Sequence, residues 1–139
     1  MDEPVGSASA KALAVISYLL GTWLGFAHGA HILESENQRV DSFGSMITAI
    51  APFLGEEAKY QGKVIQTSHF ETPESSLKTS ADSVERLVQR ARESGIHGEF
   101  PANALPLFAK AVEAGYGNEE VSAIIKVLRS SSASKQSPA

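Results

Sequence analysis

Cysteine is absent from this chain of 139 residues. The absence excludes disulfide bonds, thiolate metal sites and cysteine catalysis. A chain without cysteine is typical of a reducing compartment, so we expect a cytoplasmic protein.

An excess of basic residues is also absent. The formal net charge is -4, and residues of both signs alternate along the chain. Proteins that bind nucleic acids or anionic membranes carry clustered lysine and arginine. We therefore expect neither a nucleic acid nor a membrane surface as a partner.

Charge is missing altogether from Ala12 to Leu33, and within this run Gly21, Gly25 and Gly29 recur at four-residue spacing. On a helix this spacing forms a strip of small residues on one face, with large apolar residues opposite. We predict a long helix, buried on every side, whose glycines lie against another helix.

The same uncharged run is long enough to cross a bilayer, and small residues at this spacing also occur in transmembrane dimers. However, Ser17 and Thr22 interrupt it, and its flanks carry Glu34 and Glu36 instead of a basic cluster. We therefore expect this helix to lie in protein. At about 40 Å it is as long as the whole domain is wide, so we expect a second copy of the chain to cover it.

The rest of the chain shows helical apolar periodicity, which predicts one all-α domain. We expect an N-terminal lead at 1–6, a helical domain at 7–129 and a disordered tail at 130–139, where serine predominates. Proline, glycine and capping residues divide the domain into six helices. They are predicted near 7–33, from 41 or 42 to Pro52, 56–67, 73–95, 101–115 and 118–129.

Two segments resemble a known family. Glu113 to Arg129 (EAGYGNEEVSAIIKVLR) resembles the C-terminal end of the β-hydroxyacid dehydrogenase superfamily. Gly21 to Leu33 (GTWLGFAHGAHIL) resembles its imine reductase and reductive aminase branch. The resemblance extends from Gly6 to Arg129.

This resemblance implies the helical C-terminal domain of an NADP(H)-dependent oxidoreductase, similar to that of 6-phosphogluconate dehydrogenase. In the family, an N-terminal Rossmann domain binds the cofactor, and two helical domains intertwine as a homodimer. Each substrate cleft then lies between one subunit's nucleotide domain and its partner's helices. The present chain has no glycine-rich turn between a strand and a helix. We therefore expect no cofactor on this chain alone, and NADPH only when a nucleotide-binding domain is paired with it.

The family's catalytic position falls on an alanine. Family members carry a lysine, or an aspartate or tyrosine in imine reductases, six residues after the glycine that matches Gly6. That position is Ala12 here, and counting back from Gly29 gives the same residue. Because alanine cannot donate or accept a proton, the resemblance does not carry over the reductase reaction, and the chain is not expected to act as a reductase by itself.

Other positions correspond to the family's substrate pocket. Lys78 matches a lysine or aspartate near the nicotinamide, and Thr79 and Ser80 match substrate-contacting residues. Leu20 and Phe53 match a tyrosine and a tryptophan. The structural alternative for Lys78 is an exposed helix lysine, and for Leu20 and Phe53 it is the core.

Histidines and aromatic residues of the first helix offer further candidates. His28 and His31 are three residues apart, but zinc needs three or four ligands, so we predict no metal site. Tyr18 and Trp23 are predicted to be pocket walls or core residues.

Three function classes follow. The first is a dimerisation and substrate-pocket domain, with a small-molecule substrate, derived from a reductase. The second is a stand-alone cyclase or isomerase without a cofactor, with Tyr18, His28 and Lys78 as its acid or base candidates. The third is a non-catalytic dimeric scaffold.

Overall fold

The computed structural model describes residues 5–136, and within them the fold is all-α, as predicted. Its five α-helices are α1 (Val5–Ser35), α2 (Asp41–Thr67), α3 (Leu77–Ser94), α4 (Glu99–Ala111) and α5 (Ile125–Gln136). A π-helical turn, Val112–Tyr116, follows α4, and a 3-10 turn, Val121–Ile124, precedes α5. No strand occurs in these residues, although Ser76 and Glu120 form one isolated antiparallel bridge.

The chain divides into two compact units, Met1–Phe43 and Gly44–Ala139. The first unit contains α1, a helix of 31 residues that is about 46 Å long at 1.5 Å per residue. Large apolar side chains are exposed along it. They are Leu13, Val15, Ile16, Tyr18, Leu20, Trp23, Leu24 and Phe26.

The helix Gly6–Ser35 is long and apolar enough to cross a membrane, with a mean hydropathy of 1.4. Length and composition are the only grounds for that assignment, and the core helix of a soluble protein meets the same criteria. In a single chain, α1 thus exposes a row of large apolar side chains.

An aromatic pair holds the end of the first unit together. Phe43 stacks on Phe26, with ring centroids 4.9 Å apart and an interplanar angle of 13°. A Cβ atom built on Gly29 would lie only 2.7 Å from the Phe43 ring. Gly29 therefore contacts an aromatic ring of its own chain, and a larger residue there would require the Phe43 ring to shift.

Replacing Gly29 with alanine should cost stability relative to the same change at Gly62. Alanine favours a helix by about 1 kcal/mol over glycine, and nothing lies within 4 Å of a Cβ at Gly62. At Gly29 the gain in helix propensity is offset, because the added methyl group displaces the Phe43 ring. Such overpacking costs about 1–3 kcal/mol. Urea denaturation of Gly29→Ala and Gly62→Ala measures the difference. Equal stabilisation by both would contradict the contact with Phe43.

Helix α2 corrects the prediction of six helices. A break was predicted at Pro52, but α2 continues through it from Asp41 to Thr67. Proline removes one backbone hydrogen bond and costs about 3 kcal/mol. A helix of 27 residues retains its bonds on both sides, so the predicted second and third helices are one.

Other boundaries also differ from the predictions. Helix α3 begins at Leu77 instead of 73, and the hydroxyl of its cap, Ser76, accepts a hydrogen bond from the Thr79 N–H. The helix predicted from 118 begins instead with the 3-10 turn at Val121, which Glu120 caps. Helix α5 ends at Gln136, and residues 137–139 lie outside the described part of the chain, so the disordered tail at 130–139 stays a prediction.

The core of the second unit lies where α2, the segment after it, and the helices α3 to α5 meet. Its buried apolar residues are Val64, Phe70, Leu77, Ala111, Ala123 and Val127. The chain turns towards this core after α4 through Gly115, whose φ of 94° is a left-handed conformation that glycine adopts without steric cost. This turn brings residues 117–121 alongside the start of α3.

Candidate functional site

Five of the predicted catalytic and pocket residues lie on helix α1, at different positions along its axis. Ala12, Tyr18, Leu20 and Trp23 are exposed, whereas His28 is only 7% exposed. Along the axis, Ala12 and His28 are about 24 Å apart and Tyr18 and His28 about 15 Å. One copy of α1 therefore does not bring these side chains into one site by itself.

The start of α3 carries three further candidates, and its backbone is fully engaged. The N–H of Lys78 donates to the Gly117 carbonyl over 2.9 Å. The hydroxyls of Thr79 and Ser76 are 2.9 Å apart. The Lys78 ammonium lies 3.1 Å from an Asp82 carboxylate oxygen, and 60% of the Lys78 side chain is exposed. Lys78 is thus an ion-paired surface lysine within its unit, and Ser80 follows it on the same helix.

Lys78 and Phe53 line different clefts of the second unit. Lys78 lies at the rim of a cleft between α3 and α4. Phe53, which is 67% exposed, lines a shallower pocket of about 230 Å³ with Tyr60 and Glu74. These two predicted pocket residues therefore do not share a cavity within this unit.

The three predicted packing glycines differ in what surrounds them. Nothing lies within 4 Å of a Cβ built on Gly21 or Gly25, whereas Gly29 packs against Phe43. Two of the three glycines thus face open space in a single chain.

A buried carboxylate in the second unit was not among the sequence candidates. Glu120 is 1% exposed. Its carboxylate accepts hydrogen bonds from the Glu74 N–H at 2.8 Å, from Gln61 Nε2 at 3.1 Å and from the Tyr60 hydroxyl at 3.3 Å. One acidic side chain therefore ties α2, the segment before α3 and the turn before α5 together.

Backbone hydrogen bonds near Glu120 join the same segments of the chain. The Glu120 N–H donates to the Phe70 carbonyl over 2.8 Å, and the next N–H, of Val121, donates to Ser75 over 3.0 Å. The Leu77 N–H, at the start of α3, donates to the Glu119 carbonyl. These contacts are typical of a structural carboxylate.

Burial raises the pKa of Glu120, but hydrogen bonds from Gln61 and from the N–H groups of Glu74, Val121 and Ser75 lower it, and the pKa ends below its ordinary value. A carboxylate whose pKa is lowered by folding stabilises the folded state above its unfolded pKa. That contribution is lost as the pH falls through the folded pKa.

Acid should therefore destabilise the chain more than it destabilises the variant Glu120→Gln. For the wild type, the free energy of unfolding is expected to fall as the pH decreases below about 4.5, because Glu120 must then bind a proton. Urea denaturation at a series of pH values measures the slope for both proteins. Identical slopes would show that Glu120 does not contribute to acid sensitivity.

Lys126 forms a second polar cluster beside this core. Its ammonium lies 4.4 Å from the centre of the Tyr116 ring and 4.7 Å from that of Phe70. The Glu119 carboxylate lies 2.5 Å from the same ammonium. Cation–π contacts and an ion pair thus hold Lys126 in place, which indicates a structural role.

No group of three histidine or acidic side chains within residues 5–136 is arranged to hold a metal ion. His31 lies beside Glu34, with 3.7 Å between Nδ1 and the nearer carboxylate oxygen. His28 is buried close by on α1.

Comparison with known proteins identifies a family that matches this chain. Residues 5–130 match the family described as NADPH-dependent reductive aminase-like, C-terminal domain. An NADPH-dependent reductive aminase of Aspergillus oryzae is 24% identical over 132 residues, which are 93% of this chain and 45% of that protein. The chain therefore spans somewhat less than half the length of this curated relative.

Solved structures share the fold. A reductive aminase from Aspergillus terreus, in complex with NADPH and ethyl-5-oxohexanoate, superposes with a TM-score of 0.82 at 23% identity, covering 92% of this chain and 45% of its own. An imine reductase from Myxococcus stipitatus, in complex with NADP+, gives a TM-score of 0.81 at 20% identity, covering 88% and 45%. The helical architecture is thus that of part of these enzymes.

Proposed function

The chain belongs to the NADPH-dependent reductive aminase-like C-terminal domain family, and from this we propose that it forms the dimerisation and substrate-pocket part of an NADP(H)-dependent imine reductase-type oxidoreductase. The observation that carries the proposal is the uncovered apolar surface of α1. Contiguous exposed apolar patches mark interaction sites in soluble proteins, and large apolar side chains are exposed along this helix. A second copy of the chain covers that surface, and the homodimer is the unit that works.

The glycines of α1 support a close crossing with the second copy. Gly21 and Gly25 face open space in a single chain, and small residues allow two helix backbones to approach closely. The approach excludes water from the apolar side chains on either side. The membrane is not the cover, because the flanks of α1 are acidic, and we assign the dimer to the cytoplasm.

The substrate pocket belongs to the assembled dimer. Ala12, Leu20 and Trp23 of α1, together with Phe53, are exposed and available as apolar walls. Thr79 and Ser80 supply polar contacts, and Lys78 supplies a charge. A small organic molecule is the substrate, and Ala12 leaves the wall without a proton donor where the resembling reductases have one.

Cofactor binding requires a further domain. The described residues contain no strand on which a dinucleotide-binding turn could be built. The chain alone binds no NADPH, and the cofactor enters with a nucleotide-binding domain. The stand-alone cyclase or isomerase, with Tyr18, His28 and Lys78 as acid or base groups, and the dimeric scaffold stay predictions.

Light scattering of the purified chain, combined with a titration with NADPH, tests the proposal. We expect the mass of a dimer and no saturable binding of NADPH. A soluble monomer would remove the shared pocket, and tight NADPH binding would overturn the assignment of the cofactor to another domain.

A further inference from the structure

A cavity of the second unit lies between the end of α4, the π-helical turn that follows it, and α5. Its volume is about 300 Å³, at the lower end of the roughly 300–1,000 Å³ of ligand pockets. Ala114 and Val127 supply apolar wall, and Tyr116 lines the cavity with them. None of the residues that the function proposed above places in the substrate pocket lines it. The cavity is therefore a separate candidate site, large enough for a small organic molecule.

The charged side chains that line this cavity are both cationic. They belong to Lys110 and Lys126. The surrounding segment, residues 110–131, also contains charged residues that do not line the cavity: Glu113, Glu119, Glu120 and Arg129. The segment thus has as many acidic as basic residues and the chain has a net charge of -4, yet of the described residues no acid lines the cavity. A cavity lined in this way attracts an anion.

The two lysines differ in how far their charge is already compensated. Lys126 is paired with Glu119 and lies over the rings of Tyr116 and Phe70. Lys110 is exposed in the last turn of α4 and takes part in none of the ion pairs of residues 5–136. The carboxyl end of a helix favours such a cation without neutralising it. One positive charge therefore remains available at the wall of the cavity.

Hydroxyl groups add uncharged donors to the same lining. Those of Tyr116 and Ser130 have no hydrogen-bond partner among the side chains and backbone groups that the structure describes. The hydroxyl of Ser131 donates to the Val127 carbonyl over 3.3 Å. Two donors are thus unused beside an uncompensated ammonium, and a carboxylate oxygen accepts hydrogen bonds from both kinds of group.

We propose that this cavity binds a small organic carboxylate. The carboxylate pairs with Lys110 and accepts hydrogen bonds from the hydroxyls of Tyr116 and Ser130, while the rest of the molecule lies on the apolar wall. A monoanion is favoured over a phosphate monoester, which carries a charge of about -1.5 to -2 at pH 7. Only one lysine charge is uncompensated, and the Glu119 carboxylate beside Lys126 repels a second negative charge.

Phenylpropionate is the probe, and NMR titration of the isotope-labelled full chain measures its binding. We expect saturable shifts of the backbone amide signals of Ala114 and Val127. Phenylpropionamide, which has the same apolar body without the charge, should bind at least about fivefold more weakly. Tighter binding of phenylethyl phosphate than of phenylpropionate would overturn the assignment to a monoanion.

Three variants identify the groups that bind the carboxylate. Lys110→Gln should weaken binding of phenylpropionate by about fivefold, whereas Lys110→Arg, which keeps the charge, should stay within about twofold. Tyr116→Phe keeps the ring beside Lys126 but removes one donor, and it should weaken binding by about threefold. The matched control is Lys63→Gln, which removes an exposed lysine of α2 outside the cavity and should leave the affinity within about twofold.

Circular dichroism checks that all variants are folded. Equal weakening by Lys110→Gln and Lys63→Gln, or the absence of saturable shifts, overturns the proposal. A changed oligomeric mass of Lys110→Gln also overturns it, because the cavity is then part of an interface between copies. The titration requires neither NADPH nor a dimer, so its failure is distinguishable from failure of the proposed function.

Discussion

Replacing Gly25 with leucine is expected to turn the proposed dimer into monomers. Within one chain nothing lies within 4 Å of a Cβ at Gly25, and leucine favours a helix over glycine by nearly 1 kcal/mol. A single protomer should therefore accept the substitution or gain stability from it. Any loss must come from a second chain that packs against this position.

The size of that loss follows from symmetry. Each dimer carries the substitution twice, and forcing a side chain into a close helix crossing costs about 1–3 kcal/mol at each site. The dissociation constant should rise by at least about tenfold, since 1.4 kcal/mol corresponds to a factor of ten. Light scattering across a concentration series measures it.

Gly62→Leu on α2 is the matched control, because a Cβ there also meets nothing within 4 Å. It should leave the mass unchanged. If Gly25→Leu remains a folded dimer with unchanged melting, the strip of small residues on α1 is not the contact between copies.

Replacing Glu120 with alanine is expected to cost the second unit about 3 kcal/mol of unfolding free energy, because it removes several hydrogen bonds to a charged acceptor. The change leaves three partly buried donors without their acceptor, and a donor left unsatisfied in the interior costs about 1–3 kcal/mol, less where water reaches it. These donors are the Tyr60 hydroxyl, Gln61 Nε2 and the Glu74 N–H. Such a loss is a large part of the stability of a small domain.

Urea denaturation followed by circular dichroism measures this loss. Glu71→Ala is the control, since Glu71 is exposed and its removal should change stability by no more than about 0.5 kcal/mol. Glu120→Gln keeps the shape and one acceptor oxygen, so its cost should lie between the two. If Glu120→Ala costs no more than Glu71→Ala, the hydrogen bonds to the Glu120 carboxylate do not stabilise the second unit.

Local signals predicted the helices well where they were unambiguous. Apolar periodicity located all five α-helices, and Gly95 ends α3 in the left-handed conformation expected of a helix stop. The errors came from signals that compete. Pro52 is a helix breaker by itself but is tolerated in a long helix, and the helix predicted to start at 73 begins at Leu77, after its cap Ser76.

The polar site around Glu120 was harder to predict, because its hydrogen bonds join residues that are far apart in the sequence. Glu120 reads in the sequence as one of two adjacent acids before an apolar run, a weak capping signal, and the donors to its carboxylate are elsewhere in the chain. Tyr18, Lys78 and Phe53 were selected as candidates by resemblance or residue type. Within the second unit, Lys78 and Phe53 line different pockets, a separation that neither residue type nor resemblance indicates.

The hydrogen bonds to the Glu120 carboxylate can form only late in the synthesis of this chain. The side-chain donors of Tyr60 and Gln61 precede their acceptor by 60 and 59 residues, and the Glu74 N–H precedes it by 46. The ribosome adds about 5–20 residues per second, so these donors wait several seconds for the carboxylate that satisfies them. Until Glu120 leaves the exit tunnel, the start of α3 also lacks the carbonyls of Gly117 and Glu119 that cap it. A nascent chain that stalls before this point lacks the hydrogen bonds that join α2 to the start of α3.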